Sequence, residues 1–321
     1  MKDRTIMIEH LTKTYGTDIT AVDDITLQVN SGDIFGFLGP NGAGKSTTVK
    51  ILTTLALPTS GKATVGGYDV TSQAADVRRV SGVALQDIGL DPLMKPLELL
   101  TLQGQLFNMT TRNAKQRAEE LLDLVSLADA ADRRTGTFSG GMKRRLDLAL
   151  ALVHAPEILF LDEPTTGLDP ASRRSVWAEV RRLNRELGMT IFLTTQYLEE
   201  ADELANRIAI INQGQIAVEG SPSKLKAAVG AESINIELPS PQAAAQAAQK
   251  LHSFASNIQQ DNEIVRVYLS QAAQAIPGVV NTLRSSDLDP ISLTLTQPTL
   301  DDVFLQVTGS RIAPQASSSA N

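Results

Sequence analysis

The segment GPNGAGKST, at residues 39–47, restricts the possible folds of this chain more than any other segment does. It follows the apolar run IFGFL and fits the pattern G-x-x-x-x-G-K-[ST]. Its glycines let the backbone N–H groups turn inward toward phosphate oxygens, and a helix that begins at about Ser46 points its positive end at the same place. The segment therefore predicts a phosphate-binding loop between a strand and a helix. The alternative is a glycine-rich turn with a solvated lysine.

Each residue of this loop is a candidate ligand for the phosphates of a nucleotide. The side chain of Lys45 can reach the β- and γ-phosphates, and the hydroxyl of Ser46 can bind Mg²⁺. The candidates are Gly39, Pro40, Asn41, Gly42, Ala43, Gly44, Lys45, Ser46 and Thr47.

A second polar site follows the apolar run ILFL at residues 158–161, where Asp162 and Glu163 end a predicted buried strand. Asp162 is placed to hold Mg²⁺, because magnesium takes oxygen ligands and needs only a few of them from the protein. Glu163 is then placed to orient, or to accept a proton from, a water that attacks the terminal phosphate. The alternative is an acid pair that caps the turn PTTGLDP.

The segment FSGGMKRRLDLALALV, at residues 138–153, predicts a long amphipathic helix that starts near Ser139, Gly140 and Gly141. These three residues are candidate phosphate ligands through their backbone N–H groups. They would approach the nucleotide from the side opposite the first loop, and so from another subunit. The alternative is that Ser139 only caps the helix. We expect the basic run Lys143–Arg145 to form a solvated helix face.

The order of patterns along the chain indicates two domains and a tail. Short apolar runs alternate with helical patterns over residues 1–225, which is typical of an α/β domain with a largely parallel sheet. Between about residues 87 and 150 only helical patterns occur, which indicates a helical insertion. Residues 231–308 predict a small β-α-β-α-β domain, and residues 309–321 predict a disordered tail. Trp177 is expected in the core.

Composition excludes several functional classes. The chain has no cysteine and only three scattered histidines, so disulfides are excluded and a Cys/His metal site is disfavoured. The net charge of −7 and the pI of about 5.1 argue against a nucleic-acid partner. No stretch reaches the ~18 apolar residues of a membrane span, and the N-terminus lacks the apolar core of a signal peptide. We therefore expect a cytosolic protein, with any membrane-spanning helices provided by another polypeptide.

In their order and spacing over about residues 5–225, these motifs resemble those of the ATP-binding subunits of ABC transporters. GPNGAGKST is similar to the Walker A motif, ILFLDEP to the Walker B motif, FSGGM to the signature motif and TGLDP to the D-loop. The resemblance also identifies Gln86 as the Q-loop glutamine, Asp169 as the D-loop aspartate and Tyr15 as the aromatic residue that stacks on adenine. It implies a P-loop NTPase of the α/β class, that is, an ABC nucleotide-binding domain with a helical insertion and a small C-terminal α+β domain.

The same resemblance implies cofactors, partners and residue roles. ATP and Mg²⁺ would lie between two copies packed head to tail, and an integral membrane permease would bind them at the cytoplasmic face of the membrane. The implied catalytic residues are Lys45, Gln86, Glu163 and Gln196, and the implied metal ligands are Ser46, Gln86 and Asp162. The segment after Gln86 either docks the permease, through Leu90, Leu93 and Leu97, or packs within the insertion.

The segment FLTTQYLEEADELA, at residues 192–205, departs from the family pattern, because most members have histidine where this chain has Gln196. The departure resembles the daunorubicin/doxorubicin-resistance ATP-binding proteins, as does PTLDDVFLQVTG at residues 298–309. The side-chain amide of Gln196 can donate to the γ-phosphate, and its carbonyl can accept from the attacking water. The alternative is a residue that only packs.

We therefore expect an ATP-hydrolysing, energy-coupling subunit of a membrane exporter, acting on hydrophobic drugs or lipids as the subgroup implies. Two other functions stay open. One is a soluble ABC-type regulatory ATPase, and the other, suggested by Gln196, is a nucleotide-binding module with little hydrolysis. Comigration with a membrane protein separates the exporter subunit from the first, and phosphate release separates it from the second.

Overall fold

The computed structural model describes residues 4–16, 18–230, 232–255, 257–269 and 271–309. The chain divides into two compact units, Met1–Glu219 and Gly220–Asn321. The expected domain limits, 1–225 and 231–308, differ from this division only in the segment between the two domains. The expected disordered tail, 309–321, lies outside the described residues except for Gly309 and stays a prediction.

The bounds of the regular elements follow in chain order. The strands are β1 (Arg4–Tyr15), β2 (Ile19–Asn30), β3 (Ile34–Leu38), β4 (Ser60–Val65), β5 (Tyr68–Asp69), β6 (Ser81–Ala84), β7 (Ile158–Asp162), β8 (Thr190–Thr195), β9 (Arg207–Asn212), β10 (Gln215–Gly220), β11 (Glu232–Glu237), β12 (Ile258–Asp261), β13 (Ile264–Leu269) and β14 (Ser292–Thr296). The helices are α1 (Lys45–Leu52), α2 (Ala74–Val80), α3 (Pro96–Leu106), α4 (Thr111–Leu124), α5 (Gly140–Ala151), α6 (Pro170–Leu187), α7 (Leu198–Leu204), α8 (Pro222–Val229), α9 (Pro241–Leu251), α10 (Ala272–Arg284) and α11 (Leu300–Thr308).

A six-stranded sheet in the order β10-β9-β3-β8-β7-β6 forms the centre of the first unit. The pairs from β9 to β6 are parallel, and every residue of β3, β7 and β8 is buried. Alternate residues point to opposite faces, so Phe35 and Phe192 stack in one apolar cluster while Leu159 and Leu193 belong to another. Continuous apolar runs are therefore needed here, because both faces of the sheet are covered.

A second sheet of the first unit, in the order β2-β1-β4-β5, is antiparallel. The apolar runs IMIEHL and ITLQV predict β1 and β2, whereas no such run predicts β4 or β5. The residues of β4, SGKATV, are small or polar, and its first three residues are exposed. Such a strand has no apolar alternation that would predict it from sequence. It is a strand because its backbone pairs with β1.

The helical insertion is confirmed. No strand lies between residues 85 and 157, a stretch that the structure describes in full, and α3, α4 and α5 occupy about half of it. Their inward-facing residues, such as Leu100, Leu121 and Leu146, join one apolar cluster with the central sheet. No helix in the described part of the chain is long and apolar enough to cross a membrane.

The second unit contains an antiparallel sheet in the order β12-β13-β11-β14. Its inward residues Ile234, Ile236, Val265 and Val267 pack with apolar residues of α9 and α10. The order of elements from β11 to β14 is β-α-β-β-α-β, a common α+β arrangement, rather than the expected β-α-β-α-β. The prediction missed β12 because its sequence, IQQD, is short and polar.

Candidate active site

The candidate site lies at the carboxyl ends of the parallel strands of the first unit. The glycine-rich loop follows β3, Asp162 ends β7, Gln196 follows β8 and Gln86 lies just beyond β6. Parallel strands bring these ends to one edge of the sheet, where ligands bind in open α/β folds. A pocket of about 430 Å³ opens there, lined by Ala21, Asn41, Gly42, Gly44, Lys45, Ser46, Thr47, Gln86 and Glu163.

The glycine-rich loop passes too close to neighbouring backbone to carry side chains at two positions. A Cβ on Gly39 would lie 2.4 Å from the carbonyl oxygen of Ile211. Gly44 has a φ of +113°, and a Cβ on it would lie 2.3 Å from the carbonyl oxygen of Ala21. The loop ends at Lys45, the first residue of α1, so the positive end of that helix points into the pocket.

Lys45 lies inside the loop and contacts the acidic end of β7. Its Nζ donates to the carbonyl oxygens of Gly39 at 2.8 Å and Pro40 at 3.1 Å, and lies 3.3 Å from Oε1 of Glu163. Burial lowers the pKa of Lys45, and the carboxylate of Glu163 opposes that shift. A buried cation with only carbonyl and carboxylate partners is well suited to exchange one of them for a phosphate oxygen.

The hydroxyl of Ser46 meets the carboxylate of Asp162, as the sequence predicted for a metal site. Ser46 Oγ donates to Asp162 Oδ1 at 3.2 Å, and Thr194 Oγ1 donates to the same oxygen. In the described residues no group of three or more His, Cys, Asp or Glu side chains could hold a metal ion. One carboxylate and one hydroxyl nevertheless fit Mg²⁺, which takes its other ligands from phosphates and water.

Backbone geometry turns the carboxylate of Glu163 into the pocket. This residue has a φ of +48°, and its N–H donates to both the carbonyl oxygen and the hydroxyl of Thr194, at 3.1 and 3.0 Å. Its Oε2 accepts from Gln86 Nε2 at 3.4 Å and from Thr166 Oγ1 at 3.2 Å. The left-handed conformation costs about 1–2 kcal/mol in a residue with a Cβ, and such strain often accompanies a functional site.

Gln196 is buried and keeps one unused donor. Its side chain is 6 % exposed, and its Nε2 has no hydrogen-bond partner in the described part of the chain. Gln196 does not line the pocket. An unpartnered buried amide costs about 1–3 kcal/mol, so a residue that only packs would gain from being apolar.

The remaining site candidates lie away from this pocket. Ser139 Oγ accepts from the backbone N–H of Met142 at 3.3 Å, so Ser139 is the N-cap of α5. Ser139 and Gly140 are exposed, whereas Gly141 is buried. Asp169 caps α6, and the hydroxyl and N–H of Ser172 lower the pKa of its carboxyl. Tyr15 is 43 % exposed at the end of β1. None of these residues lines the pocket that contains Lys45, and their nucleotide contacts stay predictions.

Arg144 contradicts the expectation that the run Lys143–Arg145 is a solvated face. Its side chain is 2 % exposed, and its guanidinium donates to the carbonyl oxygens of Leu85 and Asp162. The helical spacing indicates that Arg144 is buried, because it lies three residues after Gly141 and four before Leu148, which are both buried. The basic charges alone predict a solvated face, whereas the helical phase places Arg144 on the buried side of α5.

Two further buried contacts were not predicted. Trp177 is in the core as expected, but its indole Nε1 donates to Oε1 of Glu200 at 2.8 Å. Glu200 also accepts from the hydroxyl of Thr165 at 3.0 Å. Its carboxyl thus joins α6, α7 and the loop that follows Glu163, and no pattern in the sequence indicated this link.

Only one of the three leucines expected in a docking segment is freely exposed. Leu93 is 70 % exposed, whereas Leu90 and Leu97 pack against the apolar cluster of the helical insertion. Packing within the insertion, the alternative considered above, therefore holds for these two.

Comparison with known proteins identifies the family. Residues 22–166 match the ABC transporter family. Residues 220–308 match the family described as "ATP-binding protein DrrA1-3-like, C-terminal domain". The daunorubicin/doxorubicin resistance ATP-binding protein DrrA of Streptomyces peucetius is 43 % identical over 310 residues, which cover 95 % of this chain and 93 % of that protein. The daunorubicin resistance ATP-binding protein DrrA3 of Streptomyces coeruleorubidus is 41 % identical over 309 residues, or 96 % of this chain and 97 % of that protein.

A solved structure matches about two thirds of the chain. The dimeric ATP-binding cassette MJ0796, bound to ADP and Pi in a post-hydrolysis state, superposes with a TM-score of 0.61 at 27 % identity, covering 67 % of this chain and 98 % of that chain. The similarities agree with the glycine-rich loop, the pocket that Lys45 and Glu163 line, and the bond between Ser46 and Asp162. The chain belongs to the ATP-binding subunits of ABC transporters, in the group of the daunorubicin/doxorubicin-resistance ATP-binding proteins, and it is an ATP-hydrolysing, energy-coupling subunit.

Proposed function

We propose that this chain energises the export of hydrophobic drugs or lipids through an integral membrane permease, at the cytoplasmic face of the membrane. The observation that carries the proposal is the convergence of Lys45, Ser46 and Glu163 at one pocket, where the hydroxyl of Ser46 also donates to Asp162. The names of the DrrA relatives, which state resistance to daunorubicin and doxorubicin, support the choice of cargo.

The pocket chemistry suits the triphosphate of ATP. The N–H groups of residues 39–47 and the ammonium of Lys45 bind the phosphates, and Lys45 exchanges its carbonyl partners for phosphate oxygens. Mg²⁺, held by Ser46, Asp162 and Gln86, would neutralise phosphate charge when bound. Gln86 uses its N–H₂ on Glu163, which leaves its side-chain oxygen available as a ligand.

The protein groups around the γ-phosphate orient the attacking water. The carboxylate of Glu163, already directed into the pocket, accepts a hydrogen bond from that water. The unused Nε2 of Gln196 donates to a γ-phosphate oxygen, in place of the histidine that most members carry. Positioning and fixed dipoles, rather than a covalent step, provide the rate acceleration.

A second copy completes the site in this proposal. Ser139 and Gly140 are exposed at the start of α5, so the N–H groups there can face the γ-phosphate of ATP bound to the other copy. Asp169 would lie at the same contact, and Tyr15 would stack on adenine. The triphosphate links donors on both copies, so ATP favours the closed dimer and hydrolysis lets it open.

The test uses the full chain with and without MgATP, in size-exclusion chromatography with light scattering. Glu163→Gln, which binds ATP but turns it over slowly, should form an ATP-dependent dimer, while Lys45→Ala should neither bind ATP nor dimerise. Lys50→Ala, an exposed lysine on the same helix, is the matched control and should behave like the unsubstituted chain. Failure of Glu163→Gln to dimerise with ATP even when the membrane polypeptide is present would contradict the head-to-tail scheme.

The cargo requires a separate test. The chain and the membrane polypeptide with which it comigrates are reconstituted in vesicles, and uptake of daunorubicin is followed with ATP outside. ATP-dependent uptake that is lost in Lys45→Ala supports the proposal. Phosphate release without any membrane partner or uptake would favour the soluble regulatory ATPase instead.

A further inference from the structure

One buried guanidinium joins three segments of the site. Arg144 Nη1 donates to the carbonyl oxygen of Leu85 at 2.6 Å, and Nη2 donates to the carbonyl oxygen of Asp162 at 3.3 Å. Leu85 immediately precedes Gln86, and Asp162 immediately precedes Glu163. Arg144 itself lies on α5, the helix that starts at Gly140. The backbone segments that carry Gln86 and Glu163 therefore share one side chain of α5 as a common anchor.

The anchor is stabilised within its own helix. Asp147, one turn further along α5, accepts from Arg144 Nη1 at 3.0 Å and is itself mostly buried. A buried arginine costs several kcal/mol unless it is paired, and here one carboxylate and two carbonyl oxygens provide the pairing. The planar fork of a guanidinium can bind two carbonyl groups on different segments at once, which a lysine ammonium cannot do with the same fixed geometry.

The contact that depends on this anchor is the one between Gln86 and Glu163. These side chains meet at 3.4 Å although they lie 77 residues apart, and each follows a residue whose carbonyl is bound to Arg144. A shift of either backbone segment moves its side chain relative to the other. Misplacement by about 1 Å can lower a catalytic rate by roughly a hundredfold.

We propose that Arg144 is a positioning residue for ATP hydrolysis, holding the Leu85 and Asp162 carbonyls so that Gln86 and Glu163 keep their mutual geometry. Because Arg144 belongs to α5, it also links that geometry to the Ser139–Gly141 end of the helix. The inference rests on the proposed roles of Gln86 and Glu163.

Arg145 provides a matched control on the same helix. Its Nη1 donates to the carbonyl oxygens of Val125 and Ser126, at 3.2 and 3.1 Å, within the helical insertion. It therefore makes the same kind of bond, an arginine to two backbone carbonyls, but to a segment that carries no residue of the pocket. A general loss of packing should affect both positions, whereas a loss of positioning should affect Arg144 alone.

The experiment compares Arg144→Lys, Arg145→Lys and Asp147→Asn in the full chain, with its membrane partner if turnover requires it. For each variant, kcat and KM for ATP, the Kd of a fluorescent ATP analogue and the Tm are measured. Arg144→Lys should lower kcat by about tenfold to a hundredfold, as loss of a supporting partner does elsewhere, and leave Kd within about twofold. Arg145→Lys should keep kcat within about twofold even where its Tm falls.

Asp147→Asn keeps the inference testable if Arg144→Lys does not fold. It loosens the guanidinium without removing it, so kcat should fall to an intermediate value at unchanged Kd. Equal kcat in the Arg144, Arg145 and Asp147 variants, or a parallel loss of kcat and nucleotide affinity, overturns the positioning role. A Glu163→Gln variant that hydrolyses ATP at the unsubstituted rate would instead defeat the proposed function, so the two failures are distinguishable.

Discussion

Replacement of Glu200 by alanine should be among the most damaging single changes in the first unit. Its side chain is completely buried, and its Oε1 accepts from both Trp177 Nε1 and Thr165 Oγ1. The alanine variant leaves two buried donors without an acceptor and opens a cavity. The glutamine variant keeps one oxygen for those donors and removes only the charge.

The expected magnitude follows from those contacts. Each buried donor left unpaired costs about 1–3 kcal/mol, so Glu200→Ala should lower the free energy of unfolding by about 3–6 kcal/mol with the cavity included. Glu200→Gln should change it by about 1 kcal/mol at most. With a urea m-value of about 2 kcal/mol/M, the alanine variant should shift the unfolding midpoint down by roughly 1.5–3 M.

The pH dependence has a definite sign. Burial raises the pKa of Glu200, while hydrogen bonds from Thr195, Trp177 and Thr165 oppose the shift. The folded chain therefore binds this proton more tightly than the unfolded chain, and the carboxyl supports folding most below its ordinary value of 4.5. As the pH rises above that value, the carboxyl stops contributing to the free energy of unfolding. The Glu200→Gln variant should therefore become more stable relative to the unsubstituted chain as the pH rises.

The assay is urea unfolding followed by the fluorescence of Trp177, the single tryptophan of the chain, which reports on the first unit. The matched control is Glu203→Ala on the same helix, where a half-exposed carboxylate pairs with Arg181 and should contribute less than about 1 kcal/mol. A cost below about 1 kcal/mol for Glu200→Ala, or equal midpoints for the alanine and glutamine variants, would refute the reasoning.

Two further predictions separate capping or packing from nucleotide binding. Ser139→Asp keeps a good N-cap on α5, so its Tm should stay near that of the unsubstituted chain, but its negative charge should abolish the ATP-dependent dimer of the Glu163→Gln background. A dimer that persists would leave Ser139 as a cap only. Gln196→Ala should lower kcat by up to about tenfold at unchanged ATP affinity, and unchanged phosphate release in the assembled transporter would remove its alignment role.

Much of the fold was predictable where local pattern and burial agree. The strands β3, β7 and β8 each contain a continuous apolar run, and the structure buries all of their residues. By contrast, β4 and β12 have polar sequences, and they are strands because their backbones pair with β1 and β13. Strand propensity is weak without burial, so no local analysis detects such strands.

The same division holds for the site. The contact between Ser46 and Asp162 was predictable, because each residue belongs to a motif whose chemistry requires the other. The helical phase of α5 indicated that Arg144 is buried, but its partners, the carbonyls of Leu85 and Asp162, are distant in sequence and were not predictable. The partners of Gln196, Ser139 and Asp169 in the working assembly stay predictions.

The chemistry of this protein can be read from local sequence: a loop whose glycines admit phosphate, a lysine, two acids at a strand end, and their order along the chain. These features depend on neighbouring residues and on backbone freedom, which are local. Which groups a buried charge such as Arg144 or Glu200 contacts depends on the three-dimensional packing of the chain. The free energy of a buried charge depends on groups that folding brings together from distant segments, and no short stretch of sequence contains that information.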